Sequence, residues 1–542
     1  MQVLATLLSL IVDAVFSWAR MFAALAISIA LAIIFGVWAA VSRGAERIIL
    51  PIMDILQTLP ILAFFPVVLV VFAPETVTGM ENLAGVNAAV IFLIVTSMVW
   101  NIIFGVYEAV ITIPVEFLEL ANLYKMGIIE KLRKIFIPAS MPRIVQQSIL
   151  SWSIGLFYLV TSEIFSYGTT SCCSVKRGIG AFLVQYSPTV SASNWPPYLL
   201  GLAVFIVFVV LTRLLFFKPL ESYSTRYTRT TAKAPTMLAR PSSFVNWFTR
   251  NVVAKPITTI RGFAVRGIPE RAGSTSEKKR QKKPDISTAQ KGSHVKWPYY
   301  IAALAVLLAI FVSLFASNWI FISYESQVLL AIAFSFARVW IAFLVVAAIA
   351  LPLCAYLVFM TRHTSKYLLL FQVLSSIPGT VLLPAIAAAF APLPFHAELV
   401  AFVIFLLAGI WYPIFSIMGS TRTIPASILE VKSLFKVRGI EAWKKFYIKA
   451  MLPGFITGAL TGVAAEWNAS IVAECFTTNG IGTGTSISCV GTGIGKLLDA
   501  SAAAGNTYLM LVALLNLVVM IIVINTLVWK RSYRNIAKLY GQ

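Results

Sequence analysis

The sequence predicts an all-α polytopic membrane protein made of two parallel repeats, with about eleven transmembrane helices divided five and six. Composition is the first reason. Of 542 residues 59% are hydrophobic and 12% charged, with a mean hydropathy of +0.87, whereas soluble domains carry about 25% charge. Second, apolar stretches near the roughly 20 residues that cross a bilayer recur along the chain. Third, one segment occurs twice. Pro114–Pro142 aligns without a gap on Pro425–Pro453, pairing Glu119 with Glu430, Lys125 with Lys436, Ala139 with Ala450 and Pro142 with Pro453.

In order, the first half, 1–217, has spans at 20–42, 50–72, 87–110, 144–166 and 198–217. The second, 298–542, has them at 299–317, 328–358, 368–390, 398–419, 454–476 and 507–529. The repeat extends beyond the doubled segment: Phe16–Arg20 (FSWAR) matches Phe334–Arg338 (FSFAR), Pro60 matches Pro378, and Glu163 matches Glu474. The N-terminus lacks the basic start and small-residue site of a signal peptide, so no cleaved segment is expected.

Between the halves lies a basic linker, 218–297, rich in Ser, Thr, Pro and Lys, which reads as largely disordered. From Arg213 to Lys296 there are 18 Lys/Arg and 4 Asp/Glu, most of the chain's net +22. The positive-inside rule places such a block in the cytoplasm, together with both doubled segments and the C-terminus; the N-terminus is then outside. This topology accounts for runs such as Glu277–Lys283, so no nucleic-acid partner is expected. Phe244–Val265 reads as a solvated tether or, alternatively, as a segment lying on membrane lipid.

The doubled segment resembles the "EAA" loop of the permeases of ATP-binding-cassette importers. Its first copy holds Glu119, Ala121 and Ile135-Phe136-Ile137-Pro138; the second holds Glu430 and Phe446-Tyr447-Ile448, with Lys449 in place of that proline. Where the family has a glycine, Lys125 and Lys436 stand, and Gly127 and Gly439 follow two and three residues later. The flanks, Leu50–Phe72, Ala465–Phe476 and Gly493–Asn506, are similar to the nitrate, sulfonate, taurine and bicarbonate branch. The resemblance implies a fused permease for a small anion in the plasma membrane. Each loop docks on one of two copies of a cytoplasmic ATPase that holds ATP and Mg²⁺, and a solute-binding protein works outside. No cofactor is expected in this chain. Coupling is assigned to Glu119, Ala121, Lys125, Gly127, Pro138, Pro142, Glu430, Lys436, Gly439 and Pro453.

Glu163 and Glu474, near the outer ends of equivalent spans, are pathway candidates, because acidic residues in spans face the bundle interior or a watery path. They are expected to be protonated, paired with Arg or Lys, or structural hydrogen-bonders. Glu466, Trp467 and Asn468 join them, since the first half has Gly155, Leu156 and Phe157 there. Pro60 and Pro378 are candidates for pathway kinks. The alternative is an ion-coupled secondary transporter with Glu163 and Glu474 as a proton relay. Gly491–Leu497 lacks the spacing of a phosphate-binding loop, and Gly480–Gly495 reads as a flexible external loop. His294, His363 and His396 are scattered, so no metal site is expected. Of five cysteines, Cys354 and Cys475 are read as small apolar fillers, and a bridge between Cys489 and the Cys172-Cys173 loop stays open, on condition that both loops face an oxidising exterior.

Overall fold

In the computed structural model, the described residues are 2–58, 61–64, 82–168, 177–189, 191–224, 320–361, 364–421, 439–480, 483–504 and 506–529, with a few isolated positions besides. The linker begins with a helical turn, Lys218–Ser224, and nearly all the rest of it, with the 299–317 apolar stretch, lies outside them, as do Pro60, Cys172, Cys173, Glu430 and Lys436.

The first half contains α1 (Gln2–Val41), α2 (Arg43–Thr58), α3 (Leu83–Ile111), α4 (Val115–Leu123), α5 (Ile137–Gly168), α6 (Ile179–Gln185) and α7 (Trp195–Leu211). The second contains α8 (Ile320–Phe359), α9 (Thr364–Ser375), α10 (Gly379–Phe390), α11 (His396–Gly409), α12 (Trp411–Thr421), α13 (Ile448–Glu474), α14 (Ile494–Ala503) and α15 (Thr507–Ile524). Among the described residues the one hairpin, β1 (Cys475–Gly480) with β2 (Thr483–Cys489), stands among helices. Among the described residues eight helical stretches are long and apolar enough to cross a membrane. The chain is a multi-pass membrane protein.

Two of the expected spans are not continuous helices. In place of 50–72, α2 ends at Thr58 and a 3₁₀ turn follows at Ile61–Phe64. Arg43, Glu46 and Arg47 make α2 amphipathic, and Tyr107 Oη donates to Glu46 at 2.5 Å. In place of 368–390, α9 stops at Ser375, and Pro378 caps α10 with extended backbone (ψ 140°). Proline has no N–H to continue the helix, so the apolar run is cut there.

α1 packs on α3 and α3 on α5; α13 packs on α11 and α12. The halves meet along a seam where α10 lies against α5 and the Ile61–Phe64 turn lies against α13. Tyr198 Oη donates to the Val381 carbonyl at 2.6 Å across that seam, and the Ser153 and Ser376 hydroxyls lie 3.3 Å apart.

Candidate functional site

The first copy of the doubled segment is a helix–turn–helix. Pro114 supplies the N-cap of α4, and α4 ends in a left-handed turn at Lys125, φ 49°. There Lys125 N–H donates to the Asn122 carbonyl at 2.9 Å and Met126 N–H to the Ala121 carbonyl at 3.0 Å. That pair of bonds is the Schellman stop, whose left-handed residue is usually glycine. Lys125 therefore holds, with a side chain attached, the left-handed conformation that glycine usually supplies. In the second copy the described residues resume at Gly439, itself at φ 62°.

Ala121 is the buried anchor of α4, while Glu119, Lys125 and Gly127 are exposed. Around them Leu123, Tyr124, Ile128 and Ile129 are 61–82% exposed. A π-helical turn, Leu132–Phe136, then leads into α5, which holds Pro138 in its first turn and Pro142 inside it. The second half repeats this with a π turn at Trp443–Tyr447 ahead of α13 and Pro453. Such turns cluster at functional positions.

At the opposite ends of α5 and α13 each half ties a knot around its buried glutamate. Glu163 is fully buried. It accepts from Arg20 Nη1 at 2.6 Å, Ser17 Oγ at 2.7 Å and Gly180 N–H at 2.8 Å. Arg20 Nε also donates to Asn87 Oδ1 at 2.8 Å, and Ile179 N–H to Ser17 Oγ at 2.9 Å. In the other half Glu474, equally buried, accepts from Arg338 Nη1 at 3.2 Å and Gly495 N–H at 2.7 Å, and bonds to Ser335. Ile494 N–H donates to Ser335 Oγ at 2.8 Å. Gly178 and Gly493 lie so close to the two carboxylates that a Cβ on either would strike them. Glu163 and Glu474 are thus the paired, hydrogen-bonded case among the sequence expectations. Arg20 and Arg338, which complete the knots, were not among the expected site residues, although the FSWAR/FSFAR match had marked their positions.

The glycine-rich stretch 480–495 is no plain loop: it contains β2 and supplies the knot's Gly493 and Gly495. Cys475 is not a filler, nor does Cys489 bridge to the first half; the two are joined to each other across the hairpin. Cys354 is buried and free, as expected.

The remaining candidates diverge along α13. Glu466 is fully buried against Gly409 of α11, and its carboxylate has no hydrogen-bond partner among the described residues. Trp467 turns towards Trp529 beyond α15 in a small apolar recess. Asn468 faces the seam. Its Oδ1 accepts from Tyr158 Oη at 2.7 Å and from Ile61 N–H at 2.8 Å, both in the other half, while its Nδ2 donates to Ala464 at 3.0 Å. Pro378 breaks the helix beside that seam.

Residues 32–218 match the family described as binding-protein-dependent transport system inner membrane component. This family segment spans the first helix–turn–helix and Glu163. The chain is 26% identical over 184 residues to the glycine betaine/proline betaine transport system permease protein ProW of Escherichia coli (strain K12), covering 32% of this chain and 49% of that one. The Salmonella typhimurium ProW is 25% identical over 185 residues, 33% and 49% of the two chains. The nitrate import permease protein NrtB of Leptolyngbya laminosa is 29% identical over 157 residues, 29% and 47%. The chain spans about half the length of the curated relatives it matches. No solved structure matches.

Proposed function

We propose that the chain is the transmembrane permease component of an ATP-driven, binding-protein-dependent importer for a small anionic solute, with two permease repeats fused through a cytoplasmic tether. The observation that carries this reading is the family match over residues 32–218, which falls on a half whose doubled segment is an exposed helix–turn–helix. Exposed Leu123, Tyr124, Ile128 and Ile129 form the kind of apolar patch that marks a protein partner. With the second copy at Pro425–Pro453, two ATPase subunits find one docking point each. ATP binding then draws the two loops together and rotates the halves as rigid bodies, changing the exposure of the seam.

The repeats are 1–217 and 298–542, and the matching knots at Glu163 and Glu474 support the duplication. For sidedness, the basic linker favours the cytoplasm for the loops. The Cys475–Cys489 bridge, at the other end of α13, belongs on an oxidising outer side. A proton relay through Glu163 and Glu474 would need water at two carboxylates that are fully buried and bonded to arginine. With Arg20 and Arg338 holding them, neither glutamate presents a free charge to an anion.

Purification of the full chain from its native membrane in mild detergent tests the reading. Two cassette ATPase subunits per chain, in stoichiometric amount, are expected. A chain that stays alone with both loops intact would favour the ion-coupled transporter.

A further inference from the structure

Asn468 stands apart from the other candidates because its carboxamide oxygen is held by two donors from the opposite half. The backbone N–H of Ile61 can only donate, which fixes the amide's orientation: oxygen towards the seam, nitrogen back to Ala464. Tyr158 Oη and Ile61 N–H therefore converge on one sp² oxygen at 2.7 and 2.8 Å. Tyr158 and Asn468 are both buried, and Ile61 opens the 3₁₀ turn that replaces the continuous second span.

Below this point on α13, Thr457 and Thr461 lie on the same helix face as Asn468 and are exposed, whereas Glu466–Cys475 are buried without a break. On α5, Gln146 and Leu150 are likewise exposed before the helix closes over. On both helices the exposed positions stop short of the Tyr158–Asn468 level. Glu466 turns away towards Gly409, and Glu474 is tied to Arg338, so neither α13 acid shares the Asn468 face. The first half offers Phe157 in the place of Asn468, so the arrangement occurs once.

We propose that Tyr158 O–H and Ile61 N–H are the seam's binding site for a planar oxyanion, and that the Asn468 side-chain oxygen plugs it when no solute is present. An incoming nitrate, bicarbonate or carboxylate oxygen replaces the amide oxygen and inherits both donors. Releasing Asn468 also breaks its two hydrogen bonds across the seam, so solute entry loosens the contact between the halves at this level. This deepens the permease reading by assigning the solute's recognised group, and it rests on that reading only for direction of transport.

The test is binding to the full chain in lipid nanodiscs by titration calorimetry, with sodium nitrate and glycine betaine as the two oxyanion sources and sodium chloride as the control without an sp² oxygen. Asn468→Ala removes the plug and is expected to bind nitrate, glycine betaine or both saturably. Adding Tyr158→Phe should weaken that binding about tenfold or more, the value of one hydrogen bond to a charged group. Monodispersity and helical circular dichroism of both variants establish that they are folded. Equal binding by the single and double variants, chloride binding as strong as that of the oxyanions, or no saturable binding by Asn468→Ala would each overturn the proposal. ATPase co-purification does not depend on these donors, so failure here leaves the permease reading standing, and the converse holds too.

Discussion

The two glutamate knots share a plan and differ in charge. Around Glu163, Arg20 shares its donors among that one carboxylate, the neutral Asn87 and the Arg177 carbonyl, so one cation meets one anion. Around Glu474, Arg338 meets the other half's counterpart of Asn87, which is Glu398. It grips Glu398 with Nε at 2.6 Å and Nη2 at 2.7 Å, leaving a longer 3.2 Å contact to Glu474. One guanidinium there serves two carboxylates, one fully buried and one with its side chain 42% exposed. The geometry of a knot is thus kept while its charge is free to change, provided the surplus charge reaches water.

The largest effect should come from removing the arginines. Arg20→Ala leaves Glu163 buried without its cation, and breaking such a pair costs about 3–5 kcal/mol. Arg338→Ala should cost more, because Glu398 and Glu474 then face each other unscreened. Thermal unfolding of both variants in the same detergent gives the order; an equal or reversed order would show that the extra carboxylate carries no weight. The double variant Arg338→Ala/Glu398→Asn sharpens this, since with the surplus charge gone its loss should fall to that of Arg20→Ala. In the other direction, Asn87→Glu gives the first knot the second's charge and should change stability by only about 1 kcal/mol.

Much of this site was legible in the sequence, and particular residues show where legibility stopped. Glu163 and Glu474 stood out because acids in apolar spans are rare, and FSWAR/FSFAR stood out because it recurs. Joining them required the fold: Arg20 and Glu163 are 143 residues apart. Gly178 and Gly493 follow loops of different length, so they break the constant spacing that aligned everything else. An apolar count cannot detect that Pro378 cuts its span, because the count measures transfer to lipid and not the missing N–H. Lys125 was visible only as a departure from a family glycine. Its positive φ, a conformation that favours glycine, became visible only in the structure.

That turn yields a smaller prediction. A non-glycine residue in left-handed conformation costs roughly 1–2 kcal/mol, so Lys125→Gly should stabilise the first loop by about 1 kcal/mol, and Gly439→Ala should destabilise the second by a similar amount. Hydrogen exchange over α4 and over residues 439–447 would register opposite shifts.

The smallest effect concerns α14, which packs beside the second knot but lies outside the candidate spans. Burial pushes the Asp499 carboxyl up to about 6 from its ordinary 3.8. The folded state then binds more proton than the unfolded state between these values, so stability falls as pH rises through about 6. Asp499→Asn cannot ionise. It should raise the unfolding temperature at pH 7.5 and leave it nearly unchanged at pH 4; a gain of the same size at both would place the effect elsewhere than in ionisation.

The central claim, that the doubled segment couples this membrane unit to an ATPase, is tested most directly by Glu119→Ala/Glu430→Ala. The variant would be reconstituted in proteoliposomes with the co-purified ATPase and binding protein. We predict that ATP hydrolysis continues while solute uptake is lost. Uptake at the wild-type rate would contradict the account.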